Sequence, residues 1–168
     1  MLSIREENAD DYAAVRDLNR AAFEGDGEAR LVDDLRNEGA VVLALVAVED
    51  DRIVGHIMFS GLAIDTEAGI LRAVSLAPMA VAPQSQRRGI GSALVQRGLE
   101  LCRERGNSIV VVLGHPEYYP RFGFSPELAK DLHGPYSGEA WMALELVPAA
   151  LYAVKGTVRY AKAFDALA

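Results

Sequence analysis

The stretch Val81-Ala82-Pro83-Gln84-Ser85-Gln86-Arg87-Arg88-Gly89-Ile90-Gly91-Ser92-Ala93-Leu94 constrains this chain more than any other. It reads as the end of a strand, a polar and basic turn, and the first turn of a helix. The first N–H groups of a helix have no intrahelical partner, and the helix dipole makes that end partly positive. Such an end suits a phosphate or pyrophosphate. Gly89 and Gly91 have no Cβ, so a ligand can come close to the backbone. Arg87 and Arg88 add charge within reach of phosphate oxygens. Taken alone, the same residues are equally a plain helix start with two solvated arginines. Two other nucleotide signatures do not match: Gly89 to Leu94 lacks the third glycine of a dinucleotide fingerprint, and no Gly-Lys-Ser/Thr follows.

The elements around this loop give a mixed α/β order. Leu2 to Glu6 alternates as a short strand, and Asn8 or Asp10 can cap the helix that follows. That helix sets Val15, Leu18 and Ala22 on one face, and Gly25 and Gly27 interrupt it. A second helix from Glu28 to about Glu38 turns Leu31 and Leu35 to a core, and Gly39 stops it. Val41 to Glu49 is a strand with both faces covered, Asp50-Asp51 a tight turn, and Arg52 to Ile64 the antiparallel return. A turn at Glu67-Ala68-Gly69 leads into a strand from about Ile70 to Val81. Pro78 lies inside that strand, where its missing N–H and fixed φ imply a bulge or a splayed strand. Gly89 to Arg105 is the strongest helix, with Ile90, Ala93, Leu94, Leu101 and Cys102 as its apolar stripe and Gly106 as its stop. Ser108 to Leu113 is a buried β-branched strand, Pro116 to Phe122 a short helix ended by Gly123, and Trp141 to Val147 the final strand. The tail from Lys155 to Ala168 packs across the surface. The order β-αα-βββ-α-β-α-β is not the regular alternation of a doubly wound parallel sheet.

No repeat or linker divides the 168 residues, which read as one domain over 1–168. The longest apolar run, Ala40 to Val48, is about half of what a bilayer crossing requires. Met1 to Glu7 lacks the layout of a secretory signal, and the expectation is a soluble cytoplasmic protein. Cys102, the single cysteine, reads as a small buried hydrophobe rather than a catalytic thiol, since no base stands at a useful local spacing. The net charge of −7 argues against a nucleic-acid surface. It suits a cationic or amine partner, though only as a weak hint. With three histidines and no compact His/Asp/Glu spacing, no metal site is expected.

The whole pattern Gln86-x-x-Gly89-x-Gly91, directly after Val81-Ala82-Pro83, resembles the acyl-CoA signature of the GNAT superfamily of N-acetyltransferases. The resemblance extends in outline to the element order of nearly the whole chain. It implies a GNAT-like mixed α+β fold with a central, largely antiparallel sheet that splays where the cofactor enters. It also implies acetyl-CoA as co-substrate, without a metal. Gln86, Arg87, Arg88, Gly89, Ile90, Gly91 and Ser92 would then surround the pyrophosphate. The strand end Met79-Ala80-Val81 would bond the pantetheine arm through its backbone, and one of its N–H groups would polarise the acetyl carbonyl.

A second segment, Tyr118-Tyr119-Pro120-Arg121-Phe122-Gly123-Phe124, is similar to the family's Tyr-x-x-x-Gly-Phe run and sets Tyr119 at the tyrosine position. The resemblance makes Tyr119 the general acid that protonates the departing CoA thiolate. The competing reading is an amphipathic tyrosine at the edge of the core. The link from the preceding strand, Gly114-His115-Pro116-Glu117, is shorter than the family often has, which could move Tyr119 relative to the thioester. His115 to Tyr119 with Arg121 to Phe124 also looks like a bacterial branch of acetyltransferases with unsettled acceptors.

The acceptor must attack as a neutral amine, so a carboxylate or histidine is sought. Four residues qualify and none stands out. Glu28 faces the acceptor side if the family topology holds, and is equally a helix-start carboxylate favoured by the dipole. His115 and Glu117 lie near the proposed acid, and His56 reads as a half-buried strand residue. The function implied is transfer of an acetyl group from acetyl-CoA to a primary amine, on a small molecule or a protein, by direct attack. The alternatives are a non-catalytic acyl-CoA-binding sensor or regulatory module, and a structural protein that binds no CoA. The tail from Gly134 either completes the acceptor pocket or makes a homodimer contact.

Overall fold

The computed structural model describes residues 1–167; Ala168, the end of the expected tail, lies outside them. Strand β1 (Leu2–Glu6) is followed by α1 (Tyr12–Phe23), α2 (Gly27–Glu38) and three long strands, β2 (Val41–Glu49), β3 (Arg52–Thr66) and β4 (Gly69–Val81). Helix α3 (Ile90–Glu104), β5 (Ile109–Leu113), a short α4 (Pro126–Ala129), β6 (Leu132–His133), β7 (Trp141–Glu145) and β8 (Gly156–Arg159) complete the order. The sheet runs β1-β2-β3-β4-β5-β7, with β8 paired to both β3 and β6. Only β4–β5 and β6–β8 are parallel. This is the expected mixed α+β class with a largely antiparallel sheet. Among the described residues no helix is long and apolar enough to cross a membrane.

Local chemistry accounts for most boundaries. Asn8 closes a reciprocal cap, accepting from Asp10 N–H at 3.0 Å while its own N–H donates to Asp11 at 2.8 Å. This cap opens a 3-10 turn, Ala9–Asp11, that runs straight into α1. Gly39, at φ 75, ends α2 in the left-handed conformation that favours glycine. The two faces of β2 and β3 bury different helices. Leu43, Leu45, Ile57 and Phe59 pack with Ile90, Leu94, Val95 and Cys102 of α3. Ala44, Val46 and Met58 pack with Val15 of α1 and with Leu31, Val32 and Leu35 of α2. Each fully buried leucine in these layers contributes about 2 kcal/mol by transfer from water, which holds α1–α2 and α3 on opposite faces of one sheet.

The proline-interrupted strand behaves as its sequence predicts. Between Ile57↔Met79 and Phe59↔Leu76 the register shifts, so that β4 carries an extra residue around Ala77-Pro78. The peptide between those two residues is cis. On its other side β4 meets β5 only at Val74↔Val110 and Ser75↔Val111. From Leu76 to Val81 the two parallel strands therefore diverge, and a V-shaped cleft opens between them.

The C-terminal third departs from expectation. Trp141–Glu145 is not the last strand, because Gly156–Arg159 of the expected surface tail joins β3 as β8, in register from Ala63↔Arg159 to Asp65↔Thr157. Its four residues carry only one buried apolar side chain, Val158, too little periodicity to mark a strand. The short helix expected at Pro116–Phe122 is a 3-10 turn over Tyr119–Phe122, and α4 follows it after Gly123.

Candidate active site

The base of the cleft is the N-terminus of α3. Gly89 caps it at φ 82, and Arg87, two residues earlier, is also left-handed at φ 65. A non-glycine residue in that region is uncommon and tends to mark a functional turn. A left-handed residue set among ordinary ones curls successive N–H groups into a concavity suited to an anion. The Gln86 amide donates to the Val81 carbonyl at 3.1 Å and ties the loop back to the end of β4. Arg87 stays exposed. Arg88 makes a bidentate pair with Glu49 at 2.9 and 2.7 Å, so in this state its charge is turned to β2.

Gly91 stands where the helix meets the strand. A Cβ there would lie 3.5 Å from the Met79 Cε and 3.6 Å from the Tyr118 hydroxyl. Ser92 Oγ and that hydroxyl are hydrogen-bonded at 2.9 Å. Tyr118 is a residue the sequence reading passed over in favour of its neighbour. The two rings stand edge to face, with centroids 5.0 Å apart, so one phenol points to the helix start and the other lies against the cleft. The doublet in the Tyr-Tyr-Pro run was the available signal.

Farther up, the splayed strands open into a cleft of about 480 Å³. Ala77, Pro78 and Met79 of β4 form one side, and Leu113, Gly114 and His115 after β5 form the other, with Tyr119 beside them. The Tyr119 ring lies directly on the Gly114 backbone: a Cβ on Gly114 would be 2.3 Å from its Cε2. Tyr119 is 8% exposed. Burial pushes its hydroxyl up to about 12, and the Tyr118 phenol adds to the shift. It is thus a fully protonated donor at neutral pH.

Of the four candidate bases, the cleft contains two. Glu28, at the first turn of α2, and His115 line it. Glu117 is exposed and absent from the lining. His56 is fully buried, not half-buried, and belongs to another cluster. Its Nε2 lies 3.1 Å from Glu7, which also pairs with Arg36. Burial raises the Glu7 carboxyl, but the His56 ring beside it and the Arg36 guanidinium that donates to it outweigh this and hold the group below the usual carboxylate range. Cys102 is 0% exposed, and burial pushes its thiol up to about 12, as suits a packed hydrophobe and not a nucleophile. Among the described residues no group of three His, Cys, Asp or Glu side chains could hold a metal ion.

The far wall was not anticipated as such. Phe23 closes the end of α1, and Tyr136, Tyr160 and Phe164 come in from the C-terminal segment. Tyr160 stacks between Tyr136 at 5.6 Å and Phe164 at 4.9 Å. Burial raises its hydroxyl and Tyr136 adds to this, while a hydrogen bond with Ser75 works the other way. Three residues of the tail from Gly134, namely Tyr136, Tyr160 and Phe164, thus line the cleft.

Comparison with known proteins agrees with this geometry. A family model described as an acetyltransferase (GNAT) domain matches residues 3–126. The uncharacterized N-acetyltransferase YhbS of Escherichia coli strain K12 is 37% identical over 165 residues, covering 96% of this chain and 98% of that protein. The crystal structure of Escherichia coli YhbS in complex with CoA has a TM-score of 0.90 at 36% identity, covering 98% of this chain and 92% of that one. A GNAT family acetyltransferase from Brucella melitensis in complex with acetyl-CoA has a TM-score of 0.83 at 34% identity, covering 98% and 99%.

Proposed function

This chain belongs to the GNAT acetyltransferase family, and on that premise we propose how its cleft divides the work of an acetyl-CoA-dependent N-acetyltransferase. The observation that carries the reading is the divergence of β4 and β5 directly above the N-terminus of α3. Relatives with the same fold and 34–36% identity are complexes with CoA or acetyl-CoA. The chain's own geometry fits that ligand: a strand edge free on one side for a pantetheine arm, and a helix start with Gly89 and Gly91 for a pyrophosphate.

In this scheme Gln86 to Ser92 hold the pyrophosphate, and the Tyr118–Ser92 hydrogen bond fixes the rim of that subsite. The backbone of Met79, Ala80 and Val81 bonds the pantetheine arm, and an N–H of this strand end polarises the acyl carbonyl. Bound acetyl-CoA supplies a thioester, whose C–S bond breaks as the C–N bond to the amine forms. Glu28 receives the ammonium proton, directly or through a water, so that the amine attacks as a neutral nucleophile. Tyr119 gives its proton to the departing thiolate, which its buried and protonated hydroxyl suits, and the second proton shed by the nitrogen as the amide forms restores the phenol through solvent. The product is an N-acetyl amine, with no covalent enzyme intermediate. We also take residues 1–168 as one catalytic domain, because a single sheet draws strands from Leu2 to Arg159.

The test is calorimetric titration with acetyl-CoA, followed by thiol release with an amine, for the wild type and Tyr119→Phe. The expected result is unchanged donor affinity and a kcat lower by about a hundredfold or more. Wild-type turnover in Tyr119→Phe across pH removes Tyr119 from the acid role. Donor binding with no turnover on any amine returns the chain to a binding module.

A further inference from the structure

Resting on the acetyltransferase reading, we infer that the acceptor is a small primary monoamine with an aromatic or other apolar body. The cleft, its donor side included, combines a single carboxylate with an apolar mass. Glu28 is the only acidic residue among its fifteen lining residues, and no lysine or arginine is among them. Five of the fifteen are aromatic: Phe23, Tyr119, Tyr136, Tyr160 and Phe164. One carboxylate pairs one ammonium. Aromatic faces beside it add a cation–π attraction and take up the apolar remainder.

The same composition disfavours the other amine classes. A polyamine would bring a second ammonium to a wall with no second carboxylate, and an unpaired buried charge is costly. An amino acid would bring its own carboxylate to a cleft without a lysine or arginine, whose one imidazole, His115, is exposed to solvent. The wall is also firm. Tyr160 is held by packing between Tyr136 and Phe164, with Trp141 at 6.4 Å behind. Rigid aromatic rings make a shape-selective pocket at low entropic cost.

The experiment uses the purified full chain and the probes 2-phenylethylamine, spermidine, glycine and a lysine peptide, with acetyl-CoA binding measured first by calorimetry. The expected result is a kcat/KM for 2-phenylethylamine at least about tenfold above each of the others, the order of one well-placed interaction. Glu28→Gln lowers that kcat/KM by about ten- to a hundredfold, as loss of a charge-assisted hydrogen bond predicts. Phe23 is 40% exposed, so Phe23→Ala leaves the fold intact while raising KM for 2-phenylethylamine and not for acetyl-CoA. Preference for spermidine, glycine or the peptide overturns the inference. So does donor binding without turnover of 2-phenylethylamine, which leaves the donor assignment standing. Absence of acetyl-CoA binding instead overturns the reading on which this one rests, and this inference with it.

Discussion

Replacing Gly114 with alanine tests the acid assignment without touching the phenol. The added Cβ would lie 2.3 Å from Tyr119 Cε2 and 2.7 Å from Cδ2, where ordinary contact begins at 3.4 Å. Gly114 is not in the left-handed region, so alanine meets no backbone strain and the effect is steric. The ring must therefore withdraw by about 1 Å, a displacement that can cost about a hundredfold when it misplaces a reacting group. Tyr119 is 8% exposed and packs edge to face on Phe124, so the ring has little room to move without disturbing the core. Overpacking of this kind destabilises by about 1–3 kcal/mol, which leaves most domains folded. The assay is thiol release at saturating acetyl-CoA and amine, with donor affinity by calorimetry and stability by urea denaturation. The expected variant is folded, binds acetyl-CoA near the wild-type affinity, and has kcat lower by about two orders of magnitude. Tyr119→Phe and the double variant should then be no worse than the poorer single change, because both remove one function. A folded Gly114→Ala with wild-type kcat refutes the argument, since it would mean that moving the phenol does not matter.

Three further outcomes follow from other residues. Because burial pushes the Tyr119 hydroxyl up to about 12, the group stays protonated through the working range. The kcat/KM profile should therefore show no Tyr119-dependent falling limb below about pH 10; an alkaline limb near pH 9 that vanishes in Tyr119→Phe contradicts this. Glu7 has a lowered carboxyl, so its contribution is present above the unfolded value and lost as pH falls through the folded one. Glu7→Gln should cost about 2 kcal/mol at pH 7 by taking the carboxylate from the Arg36 guanidinium, which keeps Asp33, and should flatten the acid loss of stability in urea titrations; unchanged stability would mean that the pair is not coupled to folding. Gly91→Glu sets a carboxylate beside Met79 and Tyr118, and should weaken acetyl-CoA binding by about tenfold or more through repulsion of the pyrophosphate and obstruction of the helix start. Circular dichroism and calorimetry together check it, and unchanged affinity would move the pyrophosphate elsewhere.

The bulged strand over 70–81 and the helix start within 81–94 were readable because backbone geometry makes them. Pro78 cannot pair as a central-strand residue, and the register shift sits where it stands. Gly89 marks a left-handed helix cap that few other residues tolerate. Such constraints are local, so they leave a mark in a few consecutive letters. Arg88 shows the limit of that reading. Its charge suggested phosphate, yet Glu49, thirty-nine positions away, holds it in a bidentate pair, and sequence spacing carries no trace of such a partner.

The acceptor half depends on a different kind of information. Tyr160 and Phe164 reach Phe23 and Tyr136 because β8 pairs with β3 and carries the following segment back over α2 and the cleft. The pairing is secured by Val158 in the core and by Arg159 against Asp65 at 2.9 Å, on a strand too short to announce itself. Side chains drawn from positions so far apart are free to change without disturbing the loop between β4 and α3. A cleft built in this way separates its two specificities. On the proposed reading, the main chain of β4 and α3 holds the thioester, and a few distant side chains select the amine. Glu28 belongs to the second group in that scheme, since it pairs with the ammonium and then takes the proton that must leave before the amine attacks. A single carboxylate set in an aromatic wall then favours an acceptor with one charge.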